Sequence, residues 1–381
     1  MALALIACGA FAVWCSLHPF TTYPLSLLLI RRLTKRPAPV RVDMSQTGIS
    51  LCMCAYNEER VIEAKIQNLL ALQQAMPNLE LNVYVDAASD RTAEILQSYG
   101  DKLRLVIATE RKGKTFGMNR LVAQATHPIL MFTDANVMID LAAPARILEH
   151  FSDPTVGCVN AHLSYVNAGD SVTAGTGSLY WRLEEWIKKL ETDTGSAMGA
   201  DGSLFAIRRA LHVSPPEHII DDMFVSLQIM CRGMRVIQVD DVRAFERSAT
   251  DGKEEFDRKV RISCQAFNVH RLMWEKIRQH GGLDLYKYVS HKLMRWLTIF
   301  FLALGTVFIA AGVIALGQST LLLELSVAAL ALLFFGAKGW VRPLAQVWDI
   351  LSAFAGTGLG VLKSIKGTKF QTWSPAASIR K

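Results

Sequence analysis

The chain has no G-x-G-x-x-G after its first apolar, strand-like run, so the glycine turn that seats a dinucleotide pyrophosphate is missing and a Rossmann dehydrogenase is excluded. It also lacks a P-loop. "ERKGKT" ends in Gly-Lys-Thr, but the position where that motif needs its first glycine is Ala108, inside a strand-like run. Cysteines are few and scattered, at 8, 15, 52, 54, 158, 231 and 264. Cys52 and Cys54 share a strand face with no second ligand pair, which argues against zinc, and isolated thiols suit a reducing compartment. No stripe of arginines and aromatics crosses the middle of the chain, so nothing supports nucleic-acid binding. There is no internal repeat and no low-complexity tract. No lysine or arginine precedes the first apolar run and no small-x-small pattern follows it, so that run is read as a retained anchor rather than a cleaved signal.

What the chain has in excess is apolar residues, 51% of its 381, concentrated at the two ends. One run covers residues 2–17 and continues to Ile30; others cover Trp296–Leu316 and Leu321–Phe335. Each is near the roughly 17–25 residues that cross a bilayer. A weaker run, Ala345–Leu362, contains Asp349 and glycines at 356, 358 and 360, and reads as an interfacial or re-entrant helix. The net charge is +7, much of it beside the apolar runs: "RRLTKRPAPVR" follows the first, Lys292 and Arg295 precede the second, Lys338 and Arg342 follow the third. That placement suits anionic lipid, and the positive-inside rule puts the middle of the chain in the cytoplasm with the N-terminus outside. The expected organisation is an anchor and basic linker over 1–42, a cytoplasmic domain over 43–290, and a membrane region over 291–381 with two spans plus the interfacial helix.

The middle alternates strand and helix patterns. "GISLCMCAYNEE" is an apolar strand with a polar end, "RVIEAKIQNLLALQQA" has helical spacing, and "LELNVYVDAAS", "LRLVIAT" and "PILMFTDANV" are further strands separated by helices. That order predicts a mostly parallel sheet covered on both faces, with ligands beyond the carboxyl ends of its strands. Polar clusters lie at those ends: Tyr56-Asn57-Glu58, Asp86 to Asp90, and Thr133 to Asn136. Beyond Phe151 the alternation fades into helical segments, the glycine-rich "GADGSLFAIRR", an acidic pair opening a helix and strand at "IIDDMFVSLQIMCRGMRVIQV", and a long basic helix.

Several residues carry chemistry. Asp86 at a strand end can accept from a ribose or a base, whereas Asp90 also reads as a helix N-cap. Lys112 and Lys114 can meet phosphate or form a solvated turn. Asp134 and Asn136, two apart on extended backbone, would face one side and offer oxygens to Mg²⁺ or Mn²⁺; the alternative is an Asx turn. Asp221 and Asp222 either cap a helix or provide a general base, with a metal nearby to separate their pKa values. Arg258 and Arg261, three apart, share a helix face that would grip a diphosphate or meet the membrane.

Taken in order, "AYNEE", "DAASDRT", "RKGKTFGMN", "FTDAN", "GADGSLFAIRR" and "DDMFVSLQIMCRGMRV" resemble the family-2 glycosyltransferases of the membrane-anchored kind that includes bacterial polysaccharide synthases, over about 43–275. The resemblance implies a GT-A fold: a mixed, mostly parallel sheet with flanking transmembrane helices. It implies a nucleotide-sugar donor, with a UDP-sugar expected, held by Tyr56, Glu58, Asp86, Lys114 and Asp134. It implies Mg²⁺ or Mn²⁺ on Asp134 and Asn136, an acceptor at Asp201 and Gly202, and catalysis by Asp222 with Asp221, Arg258 and Arg261. The acceptor would be a saccharide or a lipid-linked one, at the inner face of a bacterial plasma membrane, with single displacement and inversion. A polyprenyl-phosphate acceptor and a non-catalytic nucleotide-sugar-binding protein are the alternatives. The spans are few for a pore, so an export partner is expected. Three departures stand out: Cys54-Ala55 replaces the usual proline before Tyr-Asn-Glu, Asn136 replaces the second metal-motif carboxylate, and Ile262 replaces the tryptophan after Arg261.

Overall fold

The computed structural model describes residues 1–34, 41–375 and 378. Lys35 and Arg36 of the basic linker lie outside the described residues. Four apolar runs of the first half form β1 (Ile49–Ala55), β2 (Leu79–Val85), β3 (Arg104–Ile107) and β4 (Ile129–Asp134). They pair in parallel in the order β3-β2-β1-β4. Parallel neighbours need crossovers, and the helices Ile62–Ala75, Thr92–Gln97 and Lys114–Gln124 supply them. β1 and β2 are buried along their whole length, as strands covered on both faces must be. Their side chains alternate: Leu51 and Met53 join one core cluster, Cys52 and Cys54 the other. Those two cysteines are therefore packing residues, buried with free thiols.

In the second half the strand expected at "MRVIQV" forms, and the structure adds three strands that the sequence pattern does not announce. β5 (Met138–Ile139), β6 (Val156–Tyr165), β7 (Leu204–Arg208) and β8 (Arg235–Glu246) continue the sheet as β4-β7-β6-β8-β5. β7 runs antiparallel to β4 and β6, while β6 and β8 are parallel. β6 carries Cys158, Asn160 and His162 among its apolar residues, and β7 is short and borders glycines, so neither shows a clean period of two. The outcome is the mixed, mostly parallel sheet that the resemblance implies. The register pairs Ala55 with Val85 and Cys54 with Asp134, so Tyr56, Asp86 and Asp134 leave the sheet at one edge.

The apolar ends are helical. A 3-10 turn at His18–Phe20, carrying Pro19, divides the first run into Ala2–Leu17 and Thr22–Leu33. Among the described residues four helices are long and apolar enough to cross a membrane, by length and composition: Ala2–Phe20, Thr298–Ala315, Ser319–Ala337 and Arg342–Ile365. The first packs on the second where glycines oppose, since a Cβ on Gly9 would lie 2.9 Å from the Gly305 carbonyl oxygen. Small residues are what let helices approach closely in lipid. The weak run around Asp349 lies within the continuous helix Arg342–Ile365. Its glycines seat it on the sheet domain's long helix Gly252–His280, where a Cβ on Gly360 would meet the Val260 carbonyl oxygen at 2.6 Å. This contact ties the apolar C-terminal region to the helix that carries Arg258 and Arg261.

Candidate active site

The carboxyl ends of the parallel strands open into a cavity of about 750 Å³. Glu58, Lys114, Asp134, Asn136, Asp201, Gly202, Asp221, Asp222, Arg258 and Arg261 all line it, with Ile262 beside them. Residues drawn from motifs spread over two hundred positions thus meet at one place. The strand ends are strained: Asn57 (φ 53°) and Ala87 (φ 49°) adopt left-handed backbone just after β1 and β2. Such conformations cost of order 1–3 kcal/mol each and persist where the surroundings impose them.

Lys114 sits at the centre. Its Nζ donates to Asp134 Oδ1 at 2.6 Å. Burial works against the charge, but Asp134, Asp221 and Asp222 outweigh it and hold the ammonium well above its usual range. Across the cavity, burial and then Asp221 push the Asp222 carboxyl up to about 7, against the pull of Lys114. Asp222 Oδ1 accepts the Met223 backbone N–H at 2.5 Å. Gly202 is needed for close approach, since a Cβ there would stand 2.8 Å from Asp222 Oδ2 and 3.2 Å from Lys114 Nζ. Asp221 is buried, and its Oδ2 has no hydrogen-bond partner among the described residues. Asp201 closes its own turn by accepting from the Ser203 N–H and hydroxyl.

On the helix Gly252–His280, Arg258 is held by Glu255 at 2.8 Å. Among the described residues the Arg261 guanidinium has only a 3.3 Å bond, to Gln265. Burial, then Arg258, lower the Arg261 pKa to about 10, which marks a guanidinium short of negative charge. An anion beside it would relieve both causes.

The structure corrects three sequence readings. Asp134 is the last residue of β4, but Asn136 is not on extended backbone: the chain turns at Ala135–Asn136, and the Val137 N–H closes the turn on the Asp134 carbonyl at 3.3 Å. Both side chains still face the cavity, but Asn136 donates to Glu246 at 2.8 Å instead of standing parallel to Asp134. Asp86 is fully buried and does not line the cavity; it accepts the Lys112 and Gly113 backbone N–H groups at 2.8 and 3.1 Å, with Arg111 Nε 3.7 Å away. Tyr56 is half-buried and does not line the cavity either; the Arg111 guanidinium stands 3.5 Å above its ring. In this arrangement both residues shape the 111–113 loop rather than face the cavity. Asp90 takes the blander of its two readings and accepts the Thr92 N–H at 3.0 Å.

Sequence reasoning missed four contributors. Glu246, at the end of β8, lines the cavity, and burial raises its carboxyl to about 7 although Arg258 opposes this. Lys65 lies fully buried beneath the turn after β4, donating to Thr133 Oγ1 and the Val137 carbonyl; burial lowers its pKa to about 7, with Asp134 opposing. The far end of the cavity is walled by Tyr180, Trp181, Lys188 and Trp296, with the Lys188 ammonium 5.3 Å from the Trp181 ring centre. Finally, the segment after Ile365 folds back over the near end. Gln265 binds the Phe370 carbonyl at 2.8 Å, Gln371 binds the Lys112 carbonyl at 3.0 Å, and Arg111 binds the Trp373 carbonyl at 2.5 Å. Polar segments of this kind carry no periodicity and so no signal.

Gly113 makes that return possible. It adopts φ +90°, and a Cβ on it would stand 2.0 Å from the Gln371 carbonyl oxygen. Gly113→Ala is expected to destabilise the protein by about 1–3 kcal/mol and to release the tail. Thermal melts, with limited proteolysis of the C-terminus, check this; an unchanged melting temperature and protected tail would refute it.

The sheet order and a cavity at its carboxyl edge, walled by acidic residues, lysine and arginine, define a GT-A transferase architecture. The model for "Glycosyltransferase like family 2" matches residues 46–265, more than half of the chain, and the chain belongs to that family. It is 27% identical over 211 residues to the poly-β-1,6-N-acetyl-D-glucosamine synthase of Staphylococcus aureus, covering 54% of this chain and 50% of that protein. The Staphylococcus epidermidis enzyme of the same name is 30% identical over 118 residues, 30% of this chain and 28% of that protein. The chain therefore spans about half the length of the curated relatives it matches. Among solved structures, the mannosyltransferase PcManGT of Pyrobaculum calidifontis, in complex with GDP-Man and Mn²⁺, superposes with a TM-score of 0.70 at 20% identity, over 96% of this chain and 100% of that one. That likeness establishes the fold.

Proposed function

We propose that the protein is an inverting glycosyltransferase that moves a sugar from a nucleotide-diphosphate donor to a saccharide or lipid-linked acceptor, at the inner face of a bacterial membrane. The observation that carries the reading is Asp222: a carboxyl raised to about 7 stands in the same cavity as a half-buried lysine and an arginine with no carboxylate partner among the described residues. A base poised near neutrality suits removal of an acceptor hydroxyl proton. The relatives' names support a nucleotide-sugar donor and surface polysaccharide as the product class; a UDP-sugar remains the expected donor.

In this reading Arg261 and Lys114 bind the diphosphate, and Arg258, steadied by Glu255, reinforces them. Asp222 receives the acceptor proton while the acceptor oxygen attacks the anomeric carbon from the side opposite the leaving group. Asp201 and Gly202 border the acceptor hydroxyl, Asp221 keeps the Asp222 carboxyl basic, and Glu58 borders the donor. Tyr56 and Asp86 act through the 111–113 loop. A divalent cation fits the residues present, because Asp134 offers a carboxylate and Asn136 an amide to one cavity and both are hard oxygen donors. When bound, Mg²⁺ or Mn²⁺ offsets charge developing on the leaving diphosphate. Among the described residues no group of three or more His, Cys, Asp or Glu is clustered for a cation.

Residues 1–42 and 291–381 are assigned to the membrane, with 43–290 in the cytoplasm, and an export partner is expected. The test is turnover of a panel of nucleotide sugars by purified protein in lipid nanodiscs with Mn²⁺. The expected log kcat/KM rises with pH and levels off above an apparent pKa of about 7, because Asp222 must lose its proton to act. No donor turnover, or a flat profile from pH 5 to 9, would defeat the reading.

A further inference from the structure

We infer that Glu246 completes the divalent-cation site, supplying the second acidic oxygen that the Asp-x-Asn motif lacks. This rests on the metal-dependent reading above. Asp134 brings one negative charge, and Lys114 at 2.6 Å already offsets it. Asn136 is neutral, so those two residues alone leave a dication without net attraction. The tertiary structure brings a second carboxylate from 110 residues further along the chain: Asn136 Nδ2 donates to Glu246 Oε1 at 2.8 Å.

Three features aim Glu246 at the cavity. β8 ends at Glu246 and is fixed on both sides, by the pairs Phe245 with Met138 and Glu246 with Tyr165. Its carbonyl accepts the Val166 N–H at 3.0 Å, which anchors the backbone. Among the described residues Glu246 makes no ion pair and its Oε2 takes no hydrogen bond, because Arg258 spends its guanidinium on Glu255 at 2.8 and 3.3 Å.

The same contact orients Asn136. An ionised carboxylate only accepts, so the amide must turn its NH₂ toward Glu246, which leaves Oδ1 as a cation ligand. An aspartate at 136 would set two carboxylates against each other at hydrogen-bond distance, which like charges oppose. Asn136 with Glu246 is therefore one arrangement of the charge that an Asp-x-Asp motif carries locally. The oxygen set of Asp134, Asn136 and Glu246 suits Mg²⁺ or Mn²⁺.

The experiment is titration of free Mn²⁺ by electron paramagnetic resonance on the purified full-length chain, with Mn²⁺ alone and with Mn²⁺ plus inorganic pyrophosphate. Glu246→Gln keeps an acceptor for the Asn136 amide and removes only the charge. It is expected to weaken Mn²⁺ binding roughly 10–100-fold, the range lost when a close partner of a metal site is removed. The double variant Asn136→Asp with Glu246→Gln moves the carboxylate without changing the net charge, and is expected to restore binding toward the wild type. Glu246→Gln binding Mn²⁺ like the wild type would overturn the inference and leave the transferase reading intact. So would a loss that the double variant fails to recover despite an unchanged melting temperature. Wild-type protein that takes up no Mn²⁺ would instead overturn the metal reading, and this inference with it.

Discussion

Asp222→Asn is expected to lower sugar transfer by about 10²–10⁴-fold or more while leaving donor affinity near the wild-type value. The amide keeps the shape of the carboxyl but cannot take the acceptor proton. The same substitution carries the stability signature of a buried carboxyl. The folded-state pKa of Asp222 is raised to about 7, by burial and Asp221, while an unfolded aspartate titrates at about 3.9. Below about pH 4 both states are protonated and folding carries no penalty. Between the two values the penalty grows, and above pH 7 it is present in full. Asp222→Asn should therefore raise the melting temperature at pH 8 and leave it unchanged at pH 4. Transfer at the wild-type rate would remove Asp222 as the base; equal melting shifts at the two pH values would remove the buried-charge explanation.

Arg261→Ala is expected to cost about 10²–10³ in kcat, the range seen when one preorganised charge donor is removed from a developing anion. Arg261 is available for this part because, among the described residues, its guanidinium has only Gln265 at 3.3 Å, whereas Arg258 is already clamped by Glu255. Arg261→Lys should recover part of the loss, since an ammonium keeps the charge but not the planar fork that matches phosphate oxygens. Steady-state kinetics with the preferred donor separate the cases. A rise in KM with kcat unchanged would mean that Arg261 binds donor and transition state equally, and would refute the assignment.

The sequence motifs anticipate much of this site because each sits at the end of a regular element. Glu58, Lys114, Asp134, Asp201 and Asp222 are legible as polar breaks after apolar runs or at helix starts, and the parallel sheet delivers such breaks to one edge. The part played by Asp86 is not legible. Whether a strand-end carboxylate faces a cavity or accepts N–H groups from a neighbouring loop depends on where that loop runs, and Lys112 and Gly113 close over it here. The geometry of Asp134 and Asn136 fails for a similar reason: a strand pattern does not say at which residue the strand stops.

Sequence alone determined the family, the alternating first half with its buried parallel strands, and the apolar segments at both ends. Each of these rests on local periodicity or on residues close together in the chain. Only the tertiary structure decided that Glu246 stands beside Asn136, that Lys65 lies beneath the Thr133–Val137 turn, and that residues 370–375 line one end of the cavity. Those contacts join positions a hundred or more residues apart, or a buried side chain to a loop. Nothing in local spacing encodes them, because they exist only once β8 and the long basic helix have packed.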